Sequence, residues 1–142
     1  MTQVKIGYLR VLIVDDSRIQ RTLMHEMLKK AGFNHLDEAE NATQAYDKMD
    51  ALRYDVVFLD WFMPGRSGIS LLGEWREDRR YDDVAVIVVS MQDHKSLIAG
   101  ALKAGALDYI IKPATEPALQ KSIEKALKWL ELQREYREGQ NT

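Results

Sequence analysis

Three short runs in this 142-residue chain are apolar at every position: Val11-Leu12-Ile13-Val14, Val56-Val57-Phe58-Leu59 and the six residues Val84–Val89. A strand with one wet face alternates apolar and polar residues, so unbroken runs of this length belong to strands covered on both faces. Tyr109-Ile110-Ile111 is a shorter run of the same kind, cut off by Pro113, and Leu36–Ala39 is a weaker one. Helical spacing fills the intervals. Asp16 or Ser17 can cap a first helix with Ile19, Leu23, Met24, Met27 and Leu28 inward, and Gly32 stops it. A second helix spans 42–52, with Ala45, Met49 and Leu52 inward. A third follows the loop from Met63 to Gly68 and carries Ile69, Leu72 and Trp75 inward. Leu97, Ile98, Ala101 and Leu102 mark a fourth, ended by Gly105. The last begins near Thr115 and runs to about Arg137. Five strand–helix repeats with two-sided strands predict an α/β fold: a doubly wound five-stranded parallel sheet with right-handed crossovers and helices on both faces.

Composition narrows the functions such a fold can serve. With 20 basic against 22 acidic residues the net charge is −2, so no global field attracts nucleic acid or an anionic membrane. No apolar run approaches the roughly 20 residues that span a bilayer, and no leader pattern opens the chain, so a cytoplasmic location is expected. The absence of cysteine removes disulfides, thiolate metal sites and thiol catalysis together. His25, His35 and His94 have no metal-ligand spacing.

In open parallel sheets, sites form beyond the carboxyl ends of the strands. The residues there are Asp15 and Asp16 after the first strand, Asp60 after the third, Ser90 after the fourth and Lys112 after the fifth. Taken singly, each has a bland reading: an acidic pair after a strand caps a helix, and a serine or a lysine there is commonplace. Asp60 is harder to dismiss, because it ends a buried strand where an uncompensated charge is costly. Three acids on one rim repel one another unless a cation joins them. Oxygen-only ligands favour Mg²⁺ over Zn²⁺, with Mn²⁺ and Ca²⁺ also compatible, and Mg²⁺ is commonly shared with phosphate.

Four stretches together resemble the receiver domain of two-component response regulators: Leu12-Ile13-Val14-Asp15-Asp16-Ser17, Leu59-Asp60-Trp61-Phe62-Met63-Pro64 with Gly68, Val88-Val89-Ser90, and Tyr109-Ile110-Ile111-Lys112-Pro113. The resemblance runs from about Leu9 to about Leu130. It implies a flavodoxin-like (βα)5 fold with strand order 2-1-3-4-5. It implies that Asp60 is the phosphoacceptor for a sensor histidine kinase or phosphotransfer protein, and that Asp15, Asp16, Asp60 and the backbone carbonyl of Phe62 hold Mg²⁺. Lys112 and Ser90 would contact the phosphoryl group. Ser90 and Tyr109 would act as the switch pair, altering a face around the fourth helix and fifth strand. Trp61 is expected beside the metal. A protein of this kind promotes its own phosphorylation and dephosphorylation without being a turnover enzyme. An aspartate-nucleophile phosphatase normally has a second Asp where this chain has Phe62, and in a flavin carrier Asp15 and Asp16 would repel the phosphate. A phosphorylation-independent interaction domain on the same fold stays open as the alternative.

The departures from the family pattern are informative. Phe62, Met91 and Gln92 occupy positions that tune hydrolysis of the acyl phosphate, and the bulk of Phe62 predicts a long-lived phosphoryl state. Met91 stands where a small residue is usual, and Ala114 where an aromatic often follows Lys-Pro. The chain divides into a receiver over 1–130 and a charged helical tail over 131–142. Leu119, Ile123, Ala126, Leu127 and Leu130 make the docking stripe of the last helix. Trp129, Leu132 and Tyr136 make a second stripe, either scattered surface residues or a surface for a downstream partner or a homodimer. No output domain follows, so the chain reads as a stand-alone receiver or as the receiver of a longer regulator, signalling through protein contacts and touching neither nucleic acid nor membrane.

Overall fold

The computed structural model describes residues 3–140. Five parallel strands, β1 (Arg10–Val14), β2 (His35–Ala39), β3 (Val56–Asp60), β4 (Ala85–Ser90) and β5 (Asp108–Ile111), form one sheet in the order β2-β1-β3-β4-β5. They alternate with α1 (Arg18–Ala31), α2 (Ala42–Ala51), α3 (Gly68–Glu77), α4 (Lys95–Lys103) and α5 (Glu116–Gln140). This is the flavodoxin-like order that the sequence motifs implied. No helix among the described residues is long and apolar enough to cross a membrane.

The two-sided strands split their side chains between two cores, as period-2 alternation requires. Leu12, Val14, Val57, Leu59, Val86 and Val88 point to one face, where Ala45, Met49, Leu71, Leu72, Trp75 and Ala101 of α2, α3 and α4 cover them. Val11, Ile13, Val56, Phe58, Ile87 and Val89 point to the other, beneath Met24 and Leu28 of α1 and Leu119, Ile123, Ala126 and Leu130 of α5. Each fully buried branched or aromatic side chain contributes roughly 1.5–3 kcal/mol.

The helix ends follow local chemistry. The side chains of Ser17, Asn41 and Ser67 accept the backbone N–H groups of Gln20, Gln44 and Ser70 at the starts of α1, α2 and α3. Gly32 ends α1 with φ 118°, a left-handed conformation that suits glycine. Arg76 of α3 joins elements far apart in the chain. Its guanidinium donates to the carbonyls of Gly105, Tyr81 and Val84 at 2.8–3.2 Å. A side chain at Gly105 would collide with it.

Five residues assigned to inward stripes are instead exposed: Ile19, Leu23, Leu52, Ile69 and Leu102. Ile19 and Leu23 lie in the first two turns of α1, where the helix starts above the carboxyl ends of the strands. Leu52 follows α2 in extended conformation and turns away. In α3 the buried stripe is Gly68, Leu71, Leu72 and Trp75, which leaves Ile69 outside. α4 buries Ala101 alone. In the last helix Trp129 is half-buried against the second core, whereas Leu132 and Tyr136 are exposed. Arg134 and Arg137 reach back to Asp55 and Asp83, just before β3 and β4.

Candidate functional site

The sheet register brings the strand-end residues into a row. Val14 of β1 lies beside Leu59 of β3, so Asp15 and Asp60 are neighbours one step further on. Asp60 pairs with Val89, and Ser90 with Ile111, so Ser90 and Lys112 fall in the next positions along the same rim. Carboxylate oxygens of Asp15, Asp16 and Asp60 all lie within 4.8 Å of one another. Asp15 and Asp60 are each 6% exposed and Asp16 is open to solvent.

Among the described residues, one cation serves the two buried acids. Lys112 Nζ is 2.7 Å from Asp15 Oδ2 and 3.6 Å from Asp60 Oδ2. Asp15 is well held, since its Oδ1 also accepts the Ser17 N–H at 2.9 Å. Among the described residues, Asp60 accepts only a long bond, 3.4 Å, from the Phe62 N–H to its Oδ1. Burial therefore pushes the Asp60 carboxyl up to about 6; Lys112 and the Phe62 N–H oppose the rise, and the charges of Asp15 and Asp16 reinforce it. A carboxylate buried with so little compensation fits a divalent cation bound by oxygen ligands. The side-chain donors for it are Asp15, Asp16 and Asp60.

The loops complete a pocket of about 490 Å³ above these acids, lined also by Ser17, Gln20, Phe62, Ser90, Met91, Gln92 and Pro113. Ser90 is buried and its Oγ accepts the Gln92 N–H at 3.2 Å. Tyr109 is half-buried, and its hydroxyl donates to the Gln92 carbonyl at 2.8 Å. Ser90 and Tyr109 thus hold the same loop from two sides. Phe62 and Met91 are 48% and 78% exposed at the rim. Gly68 is required by a close approach: a Cβ there would lie 2.4 Å from the Asp60 carbonyl oxygen.

Trp61, expected beside the metal, is 2% exposed and packs in the core with Val14 and Leu59, away from the pocket. Alternation along β3 sends residue 61 to the face opposite Asp60. Two contributors were missed. Arg21 donates from Nη1 to the Asp15 carbonyl at 2.7 Å and is itself held by Glu38 at 3.1 Å. Gln20 lines the pocket. Neither carries a local signal, because both act through residues on other elements or at a strand end.

Comparison with known proteins gives concordant results. Residues 11–124 match the model of the response regulator receiver domain. The chain is 33% identical over 120 residues to the chemotaxis protein CheY1 of Helicobacter pylori, covering 84% of this chain and 97% of the relative. It is 34% identical over 117 residues to the chemotaxis protein CheY of Pseudomonas aeruginosa, covering 82% and 94%. Among solved structures it resembles the response regulator protein TrrA of Thermotoga maritima in complex with Mg²⁺-BeF, with 32% identity, a TM-score of 0.73, and 83% and 98% of the two chains covered.

Proposed function

The chain belongs to the response regulator receiver domain family, and on that premise we propose that it accepts a phosphoryl group on Asp60 and so switches a protein-binding face. The observation that carries this reading is the strand-end row of Asp15, Asp16, Asp60, Ser90 and Lys112, with Asp60 buried and poorly compensated. The donor is a phosphohistidine on a sensor histidine kinase or a phosphotransfer protein. An Asp60 carboxylate oxygen forms a P–O bond as the P–N bond breaks; the donor imidazole leaves with the electron pair and takes up a proton. Asp15, Asp16, Asp60 and the Phe62 backbone carbonyl would hold Mg²⁺ (Mn²⁺ also fits), which when bound supplies electrostatic stabilisation of the phosphoryl oxygens. Lys112 balances the remaining charge, and Ser90 Oγ donates to a phosphoryl oxygen.

Turning Ser90 toward the phosphoryl group competes with its bond to the Gln92 N–H, and Gln92 is also where Tyr109 is held. The loop therefore links the chemistry to Tyr109 and to the face formed by α4, β5 and α5, a surface for a downstream protein or a second copy, extended by Leu132 and Tyr136. Phe62 and Met91 shield the acyl phosphate from water, with Gln92 as the third group tuning hydrolysis, so the label persists for minutes at neutral pH.

Intact-mass measurement after treatment with acetyl phosphate and Mg²⁺ tests the proposal. Wild type should gain one phosphoryl group and Asp60→Asn none. No adduct on wild type, under conditions that modify a control receiver, would leave a phosphorylation-independent interaction domain as the better reading.

A further inference from the structure

Beneath the acidic pocket, between α1 and the loop joining β5 to α5, lies a second chamber of about 180 Å³. Leu23, Met24, Met27, Phe58, Val89 and Ala114 form its apolar walls. Apolar cavities near 150 Å³ stay dry and admit benzene, so this one has room for a single aromatic ring. Ala114, with a single methyl group, is one of the smallest side chains lining it. Its other boundary is charged. Asp15, Asp60 and Lys112 line the chamber, two carboxylates against one ammonium.

We propose that this chamber is a binding site for a small aromatic amine, with the ring among the apolar walls and the ammonium on the Asp60 carboxylate. Asp60 is the partner to expect, because it is 6% exposed yet has, among the described residues, only the 3.4 Å bond from Phe62 and a lysine at 3.6 Å. A neutral ligand would leave that carboxylate as it is, and an anionic one would add to the repulsion. The site does not depend on the phosphoryl-transfer reading, since it needs only the chamber and a buried acid. Where a divalent cation occupies the same acids, the two ligands oppose each other, and the opposition is reciprocal.

Calorimetric titration of the metal-free protein with 2-phenylethylamine is the test. The amine should bind about tenfold or more tightly than 2-phenylethanol, phenylacetate or ethylamine, because each comparator lacks the ring or the cation. Ala114→Phe should abolish binding by filling the chamber. In wild type, nuclear Overhauser contacts should run from the ring to the methyl groups of Met24 and Met27, a result independent of how the variant folds. Added Mg²⁺ should weaken the amine and leave the alcohol unchanged. The proposal fails if the amine does not bind, if it binds no better than ethylamine or the alcohol, or if its ring contacts lie elsewhere. None of these readouts uses a phosphodonor, so they stand apart from the outcome of the acetyl phosphate experiment.

Discussion

The two ends of the same strands treat acidic residues in opposite ways. At the amino-terminal end, Asp55 precedes β3; it accepts the Arg10 N–H at 2.8 Å and faces Arg134 at 3.4 Å. Asp83, before β4, faces both Arg53 and Arg137. At the carboxyl end, Asp15 and Asp60 share Lys112 beside the exposed Asp16, and Asp60 gets the weaker part of it. Asp55 and Asp83 are each supplied with two partners. Asp60, the phosphoacceptor proposed above, is left short. The difference separates acids that hold the fold from acids kept ready for a ligand.

The sharpest way to break this contrast is to neutralise one acid at each end. Asp60→Asn should stabilise the metal-free protein by about 3 kcal/mol at pH 7. The sign follows from a carboxyl at 3.8 when unfolded and about 6 when folded: ionisation disfavours the folded state as pH rises between those values, and below the lower one the effect is absent. Urea unfolding with chelator at pH 4 and pH 7 checks it; equal stabilities of wild type and variant at pH 7 would remove the contrast. A smaller effect should come from the cation. Mg²⁺ at about ten times its dissociation constant should raise wild-type stability by about 1.4 kcal/mol, reversed by chelator and diminished in Asp15→Asn. Asp55→Asn should have the opposite sign to Asp60→Asn, a loss of about 1 kcal/mol, because it weakens the acceptor for the Arg10 N–H and the Arg134 ion pair. The least effect is expected from Arg137→Gln, about 0.5 kcal/mol or less, since an ion pair open to solvent contributes little.

Much of this was legible in the sequence because parallel strands impose their own order. Solid apolar runs mark the strands, and whatever follows each run must fall on one rim, so Asp15, Asp60, Ser90 and Lys112 could be grouped without a structure. Helix periodicity was less informative. It says which residues share a face, but not how far along its axis the sheet extends, and so it placed Ile19 and Leu102 inside. Alternation along β3, continued one residue further, accounts for the burial of Trp61 in the core with Leu59 and Val57. The chamber beside Ala114 was beyond reach. It is a volume deficit shared by Leu23, Phe58, Val89 and Ala114, residues with no common pattern in the chain.

The contacts of Arg76 have a mechanical consequence. α4 starts after His94 without a side-chain cap, buries only Ala101, and ends beside Gly105, whose carbonyl is held by the half-buried Arg76 guanidinium. A helix fastened at one end and loosely seated along its length behaves as a door on one hinge. Its fluctuations should be least at Lys103 and grow toward Lys95, the end next to the loop of Met91 and Gln92. The free edge of the door thus lies where the phosphoryl group would act, so a small displacement of that loop can swing the helix while Arg76 keeps its far end in place.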